Sequence, residues 1–219
     1  MSEQYGKFSV KLYTAVGAAL GWLALVLQLY LLLENRKVSV AESLLRYFSY
    51  FTILTNLLAA LAFTAVWVNW RNGLSRWLRS SKVLSAVTVY IVIVGVVYNV
   101  ILRTLWDPQG LQRLVDEYLH TFQPLYFLLF WLLYVPKKDI KWKYAINWLC
   151  YPALYIVYLF LLGMLTQFYP YPFADVGKLG YVTALLNGLA IISGFFITAL
   201  VLVAASRIMK NQPQPNVSR

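Results

Sequence analysis

Six uncharged, strongly apolar blocks constrain this chain more than any other feature of its sequence. None of them contains Asp, Glu, Lys or Arg, and each is near the ~20 residues that an α-helix needs to cross a hydrocarbon core. We therefore predict an all-α, polytopic integral membrane protein, a six-transmembrane-helix bundle that forms one domain over residues 1–210. The predicted spans are residues 12–33, 47–70, 83–102, 118–135, 144–166 and 179–206. Residues 211–219, which include Pro213 and Pro215, are predicted to form a short disordered tail.

The composition excludes most soluble classes of protein. Apolar residues make up 61% of the chain, against ~45–50% of an ordinary soluble domain, so a soluble enzyme is excluded. The chain has one cysteine, Cys150, and one histidine, His120. Disulfide scaffolds, structural zinc sites and iron–sulfur clusters need more such side chains. We therefore expect no metal and no cofactor.

The positions of the basic residues orient the predicted helices. With the amino terminus in the cytoplasm, 13 of the 19 Lys and Arg residues fall in cytoplasmic segments. The opposite side holds the other six, which are matched by Glu34, Glu42, Asp107, Asp116, Glu117 and Asp175. Because basic residues concentrate in cytoplasmic loops, we predict a multi-pass protein of a plasma or inner membrane with both termini inside. The net charge of +11 then reflects topology, and no nucleic-acid partner is expected.

The first apolar block has a second interpretation, as a signal peptide, because Lys7 and Lys11 precede it. The apolar region of a signal peptide is only ~7–15 residues long. Residues 12–33 exceed that length, so we expect this helix to be retained.

Several polar side chains fall at one depth near the outer ends of the predicted spans. At 1.5 Å per residue from the outer boundary charges, Thr52 lies ~9 Å and His120 ~5 Å inside the membrane. The same zone contains Gln28, Asn99, Thr183 and Asn187. Because a polar side chain in a bilayer needs a partner, we predict a polar cavity in the outer half of the bundle.

The second and fourth spans carry most of this polarity. One stripe at helical spacing on the second span consists of Ser49, Thr52, Thr55 and Asn56. On the fourth span, Gln123 lies one turn below His120, and Pro124 loosens the local backbone hydrogen bonding. One interpretation is that these groups only join helix to helix, as Ser, Thr, Asn and His commonly do in membranes.

The other interpretation is catalytic. A neutral imidazole can take the proton of a hydroxyl that attacks a carbonyl, which gives an acyl-enzyme that water then cleaves. Thr52 would be the nucleophile and His120 the base. The pattern alone does not select Thr52 over Ser49 or Thr55.

Two supporting roles remain open at this point. The amide of Asn56 or Asn99 would donate to the developing oxyanion. A carboxylate that orients the histidine would have to fold in from a loop, from Asp116 or Asp175.

Four segments carry a family resemblance. They are residues 48–56 (FSYFTILTN), the Tyr98-Asn99 to Arg103 end of the third span, Leu119-His120 followed by Pro124 and Trp131, and the YPYPFAD loop of residues 169–175 leading to Gly180-Tyr181 and Asn187. Read together, they resemble the androgen-induced membrane hydrolase family and its prokaryote-like relatives, over nearly the whole chain. That family consists of multi-span threonine hydrolases that cleave esters of hydroxy fatty acids. The resemblance implies these roles for Thr52 and His120, although the proline after the histidine comes one position earlier than in the animal members.

The sequence thus predicts an intramembrane lipid ester hydrolase that works through an acyl-threonine intermediate on fatty-acid esters of hydroxy fatty acids or similar lipid esters. The lipid substrate and the surrounding membrane lipids are its expected partners. The expected site combines catalytic Thr52 and His120 with the cavity residues Ser49, Asn56, Asn99, Gln123, Asn187 and Asp175. The alternative is a non-catalytic lipid-binding or sensing membrane protein of the same fold. A proton-coupled transporter is disfavoured because no predicted span contains a carboxylate.

Overall fold

The computed structural model describes the backbone of residues 2–210 and the side chains of residues 8–210. It is 82% helix, with no strand in the described part, and this confirms the all-α prediction. In chain order the helices are α1 Ser2–Glu34, α2 Val40–Ser49, α3 Phe51–Val68, α4 Gly73–Leu78, α5 Ser81–Val97, α6 Gly110–Glu117, α7 Gln123–Tyr134, α8 Lys143–Asn147, α9 Cys150–Thr166 and α10 Val176–Met209. Two π-helical turns, Tyr98–Leu102 and Tyr118–Phe122, follow α5 and α6, and a 3₁₀ turn precedes α10 at Pro172–Ala174. The predicted tail, residues 211–219, lies outside the described residues.

Five helical segments of the described part are long and apolar enough to cross a membrane. They are Phe8–Glu34, Phe51–Val68, Ser81–Leu102, Lys143–Thr166 and Val176–Met209. The fourth predicted span, residues 118–135, is not among them, although helical structure runs through α6, the π-turn and α7. Glu117, His120 and Gln123 lower the mean hydropathy at its start, which explains the difference.

The predicted second span is two helices, because the backbone leaves the helical conformation at Tyr50 (φ −80°, ψ 125°). The short helix α2 before the break is amphipathic, with Ser43, Tyr47 and Ser49 on its buried face. The longer helix α3 begins at Phe51 and contains most of the apolar residues of the predicted span. Thr52, its second residue, therefore lies in the first turn of a helix rather than in the middle of one.

Helices α3 and α5 form the centre of the bundle, with 61% of the most apolar stretch of each buried. Ala59, Ala60 and Ala62 on α3 are fully buried. α1 approaches closely there, because a Cβ added at Gly21 would lie 3.3 Å from the Ala60 Cβ. Small residues at a contact allow such close backbone approach. The aromatic part of the core consists of Phe63, Phe127, Phe130 and Trp131, all fully buried.

Helices α9 and α10 lie at the edge of the bundle, with only 28% and 22% of their most apolar stretches buried. The loop between them, residues 167–175, folds back towards the bundle. The Asn187 side chain donates from α10 to the Phe173 carbonyl over 2.8 Å and fixes this loop. Near its start α10 is broken at Gly180 (φ 74°, ψ 162°), a conformation that glycine adopts without a Cβ clash. A cavity remains between these two helices and the central pair.

Candidate active site

A cavity of about 700 Å³, including its open mouth, lies between the start of α3, the end of α5, α9 and α10. Four of the residues that line it have side chains with a polar group: Thr52, His120, Tyr155 and Tyr171. The rest of the lining is apolar and consists of Phe51, Ile93, Val94, Val97, Leu102, Pro152, Ile156, Leu159, Phe160, Phe173, Ala174, Ala184, Gly188, Ile191 and Phe195. A mostly apolar pocket with a few polar groups in its lining is typical of a small-molecule site.

Thr52 and His120 meet at the wall of this cavity. The Thr52 Oγ1 lies 3.2 Å from the Nε2 of His120. Both are largely buried, with exposed fractions of 7% for Thr52 and 13% for the histidine side chain. A β-branched side chain has few rotamers in a helix, so the first turn of α3 fixes the hydroxyl. The separation is the hydrogen-bonding distance that a nucleophile and its base require.

The backbone around His120 is a π-turn whose carbonyls are held from two other helices. Pro124 has no N–H, so it cannot donate to the carbonyl of Leu119 or of His120, five and four residues before it. The Asn56 side chain donates to the Leu119 carbonyl over 3.1 Å. The Asn99 side chain donates to the His120 carbonyl over 3.3 Å. The two asparagines thus replace the backbone donor that proline lacks.

These bonds leave neither asparagine amide at the cavity wall, where the sequence predicted an oxyanion donor. Asn56 is fully buried, and its amide also donates to the Thr52 carbonyl over 2.9 Å. Asn99 is exposed, and its amide also donates to the Gly95 carbonyl over 2.9 Å. Both amides therefore hold backbone in place rather than face a ligand.

The far side of the imidazole is held by Asp116 and Tyr98. The His120 Nδ1 lies 2.9 Å from the backbone carbonyl of Asp116 and 3.3 Å from its Oδ1. The Tyr98 hydroxyl donates to the other carboxylate oxygen, and the Tyr98 ring stacks on the imidazole at 4.1 Å and 16°. Because both neighbours of Nδ1 are acceptors, we assign the ring proton to Nδ1. The Nε2 lone pair then points towards Thr52.

An ion pair lies on the outer side of this group. The Arg103 Nη1 is 2.7 Å from the Glu117 Oε1, and the Arg103 guanidinium lies over the Tyr98 ring at 5.2 Å. The Arg103 hydrogen bond holds the pKa of the Glu117 carboxyl below its ordinary value. The charge of Glu117 is thereby compensated by a partner other than the histidine.

The first turn of α3 brings backbone donors to the same wall. The first helical hydrogen bond of α3 runs from the Leu54 N–H to the Tyr50 carbonyl, and Tyr50 supplies no side-chain cap. The N–H groups of Phe51 and Thr52 come before that bond and have no acceptor within the helix. The oxygen of Tyr171 interacts with both N–H groups and with the Thr52 side chain. Burial raises the pKa of Tyr171 to about 12, and these donors act in the opposite direction.

The structure places four other predicted cavity residues outside the cavity walls. Ser49 donates to a carbonyl in the last turn of α2 over 2.6 Å. Gln123 is fully buried and accepts from a tyrosine hydroxyl five residues earlier, at 2.5 Å. Asn187 fixes the loop before α10. Asp175 caps α10 by accepting from the N–H three residues later, at 3.3 Å, so it does not reach the histidine.

Asp116 is one of the two loop carboxylates that the sequence named as able to orient the histidine, and the structure has it beside the imidazole. It does not fold in from a loop, because helix α6 already begins at Gly110; Asp116 precedes His120 by four residues, the spacing of neighbours on one helix face. Two other site residues were not predicted to lie beside the histidine or the nucleophile. Tyr98 and Tyr171 carried no signal beyond their place in the resembling segments, since only the folded chain brings them to this wall.

In the described part of the chain, no group of three His, Cys, Asp or Glu side chains could hold a metal ion. Comparison with protein-family models, with curated proteins and with solved structures finds no match to this chain. Any assignment of function therefore rests on the residues of the chain itself.

Proposed function

We propose that this protein is an intramembrane lipid ester hydrolase in which Thr52 is the nucleophile and His120 the general base. One observation carries the proposal. The Thr52 Oγ1 and the His120 Nε2 are 3.2 Å apart at the wall of an apolar cavity of about 700 Å³. A hydroxyl and an imidazole at this distance are a nucleophile and base in the required geometry.

The reaction begins when the Thr52 oxygen attacks the ester carbonyl carbon and its proton passes to the His120 Nε2. The tetrahedral intermediate collapses, its bond to the alcohol oxygen breaks, and the imidazolium returns the proton to the departing alcohol. This leaves an acyl-threonine. Water then attacks the acyl group with His120 again as base, the bond to Thr52 breaks, and the free acid leaves while Thr52 regains its proton.

The negative charge that develops on the ester oxygen needs donors that are in place before the reaction. The N–H groups of Phe51 and Thr52 supply them, since they stand at the start of α3 without an acceptor in the helix. The positive end of the helix dipole acts in the same direction. In the free protein the Tyr171 oxygen is the partner of these two N–H groups. In this proposal the ester oxygen replaces it there, and the displaced Tyr171 hydroxyl donates to the oxyanion.

The proposed substrate is suggested by the apolar lining and by the family resemblance. An apolar cavity favours long acyl chains, and such lipids are concentrated in a bilayer. Within this class, fatty-acid esters of hydroxy fatty acids are the proposed substrates. In the proposed topology residues 118–135 form a sixth span, and both termini are cytoplasmic. The site then lies in the outer leaflet.

The decisive experiment compares Thr52→Ala and His120→Ala with the matched control Thr55→Ala, in purified protein reconstituted in vesicles. Thr55 is one turn further along α3, is also buried and bonds the Tyr151 hydroxyl instead of the histidine. Each catalytic variant should lose at least about 10³-fold in kcat, the double variant should be little worse, and Thr55→Ala should stay within about threefold. Thr52→Ser should retain part of the activity.

A fluorophosphonate probe provides a second measurement, because labelling requires an activated nucleophile. The label should be found on Thr52 by peptide mass spectrometry and should disappear in His120→Ala. Hydrolysis that survives in Thr52→Ala would move the nucleophile elsewhere. A wild-type protein that binds a radiolabelled fatty acid in this cavity, but neither hydrolyses esters nor reacts with the probe, would be a lipid-binding or sensing protein.

A further inference from the structure

Asp116 is a carboxylate in an unusual place, because it is only 6% exposed and lies beside an apolar cavity. A buried charge of this kind is costly unless it is paired and hydrogen-bonded. Two side chains contact it: the Tyr98 hydroxyl donates to its Oδ2, and the His120 Nδ1 lies 3.3 Å from its Oδ1. The buried carboxylate therefore has the histidine and a tyrosine as its side-chain partners.

We infer that Asp116 is a positioning residue for His120, which it orients and stabilises as imidazolium while the histidine holds the proton, and that Tyr98 keeps the carboxylate in place. This inference rests on the proposed function for its catalytic consequence. The geometry forms a chain of contacts from the Thr52 hydroxyl through the imidazole to the carboxylate. A carboxylate on the far side of a catalytic histidine has this role in serine hydrolases.

The other ionisable groups around the imidazole do not compete for this role. Glu117, the next residue on α6, is paired with Arg103 at 2.7 Å on the outer surface. Tyr98 covers one face of the ring, while Tyr155 and Tyr171 line the cavity on the Thr52 side. Of the acidic side chains in the described part, Asp116 is the one at ion-pair distance from the imidazole.

The test compares Asp116→Asn with Glu117→Gln, a matched control that removes the neighbouring carboxylate of the same helix. Asn keeps the size of Asp116 and can still accept from Tyr98, but it lacks the negative charge. We expect kcat to fall by about 10²–10⁴-fold in Asp116→Asn with little change in KM, as when the carboxylate of a triad is replaced. Glu117→Gln should leave kcat and KM within about threefold of the wild type.

The single histidine of the chain allows a measurement that does not depend on catalysis. In protein labelled with ¹⁵N-histidine and purified through a tag without histidine, all imidazole signals come from His120. The ¹⁵N signals report which ring nitrogen holds the proton. We expect the proton on Nδ1 in the wild type and in Glu117→Gln, and a larger share of it on Nε2 in Asp116→Asn, because the Asn amide group can donate to Nδ1 instead of accepting from it. If the protein hydrolyses no ester at all, the proposed function fails, but this difference still decides whether Asp116 acts on His120.

Tyr98→Phe is the second variant, to be used if Asp116→Asn does not fold. This variant retains the ring stacked on the imidazole and removes only the hydroxyl that donates to Asp116. We expect kcat to fall about tenfold, the lower end of what such outer partners contribute at metal–histidine sites. Unchanged kcat in Tyr98→Phe, or unchanged kcat and unchanged imidazole signals in Asp116→Asn, would overturn the inference.

Discussion

Replacing Asn56 by alanine removes the side chain that joins the elements of the proposed nucleophile and the proposed base. Its amide donates to the carbonyl of Thr52, on α3, and to the carbonyl of Leu119, the residue before His120. Because Pro124 cannot donate to the Leu119 carbonyl, the variant leaves a buried acceptor without a partner. A buried acceptor without a partner costs about 1–3 kcal/mol. A side-chain hydrogen bond between two helices of a membrane protein is by itself worth about 0.6–1.7 kcal/mol.

The expected result for Asn56→Ala is a moderate loss of stability with a larger loss of activity. At about 2–4 °C per kcal/mol for a chain of this size, a loss of about 1–3 kcal/mol should lower the unfolding temperature in detergent by roughly 2–12 °C. The π-turn is then free to shift, and a displacement of about 1 Å between the two reacting groups can cost 10²-fold in rate. We therefore expect kcat to fall by about 10²-fold at a temperature where the variant is fully folded.

The matched control is Thr64→Ala, about two turns beyond Asn56 on the same helix. The Thr64 hydroxyl donates to the Ala60 carbonyl over 2.8 Å and accepts from the Trp22 indole over 3.0 Å. Its loss should lower the unfolding temperature by a comparable amount and leave kcat within about threefold, because Thr64 is ~18 Å along the helix from Thr52. Equal kcat values in Asn56→Ala and Thr64→Ala would refute the reasoning that Asn56 sets the geometry of the site.

Three further predictions concern the oxyanion, the outer ion pair and the topology. Tyr171→Phe should lower kcat about tenfold or more and leave KM nearly unchanged, because its hydroxyl acts on the transition state; steady-state kinetics decide this. The pKa of Glu117 is held below its ordinary value by Arg103, so the pair contributes stability at neutral pH that is lost as the pH falls through the lowered pKa. In Arg103→Gln the unfolding temperature should therefore fall less steeply than in the wild type as the pH is lowered from about 5 to 3, the range in which an ordinary Glu titrates. In a variant without cysteine, a new cysteine in residues 72–80 should be protected from an impermeant reagent added outside, and one in residues 109–113 should react. The reverse labelling pattern would contradict a cytoplasmic amino terminus.

The apolar blocks predicted most of the helices, because twenty uncharged residues in succession leave the chain few alternatives. The depth estimate also assigned Thr52 and His120 to one level, and the structure has their side chains 3.2 Å apart. The break at Tyr50 was not predictable, since residues 48–52 contain neither glycine nor proline. It depends on tertiary contacts, such as the bond from the Tyr155 hydroxyl to the Ser49 carbonyl at 2.7 Å.

The partners of the polar side chains were harder to predict than their depth. Asn56 and Asn99 were expected to face a ligand, but each donates to a carbonyl that Pro124 leaves without a donor. Pro124 was recognised as loosening the backbone, yet the sequence does not say which side chain would satisfy the freed carbonyls. Asp116 was placed in a loop, from which it could fold in to orient the histidine, because the uncharged block begins only at residue 118. The structure instead has it on α6, which begins at Gly110 and buries Val115 and Asp116.

The π-turn at Tyr118–Phe122 has a consequence for the length of the chain at this point. A π-turn contains one residue more than the α-helical turn that would otherwise stand there, so it behaves as a one-residue insertion into a helix. Deleting Thr121 would let the segment return to an α-helix without moving α7. Because a π-turn closes over five residues what an α-helical turn closes over four, α6 would also stay close to its place. The residues inside the turn, with His120 among them, would be redistributed around the helix axis, and the imidazole would leave its position opposite Thr52. An alignment that ignores a single-residue gap here would pair the histidine with the wrong position in any relative that lacks the extra residue.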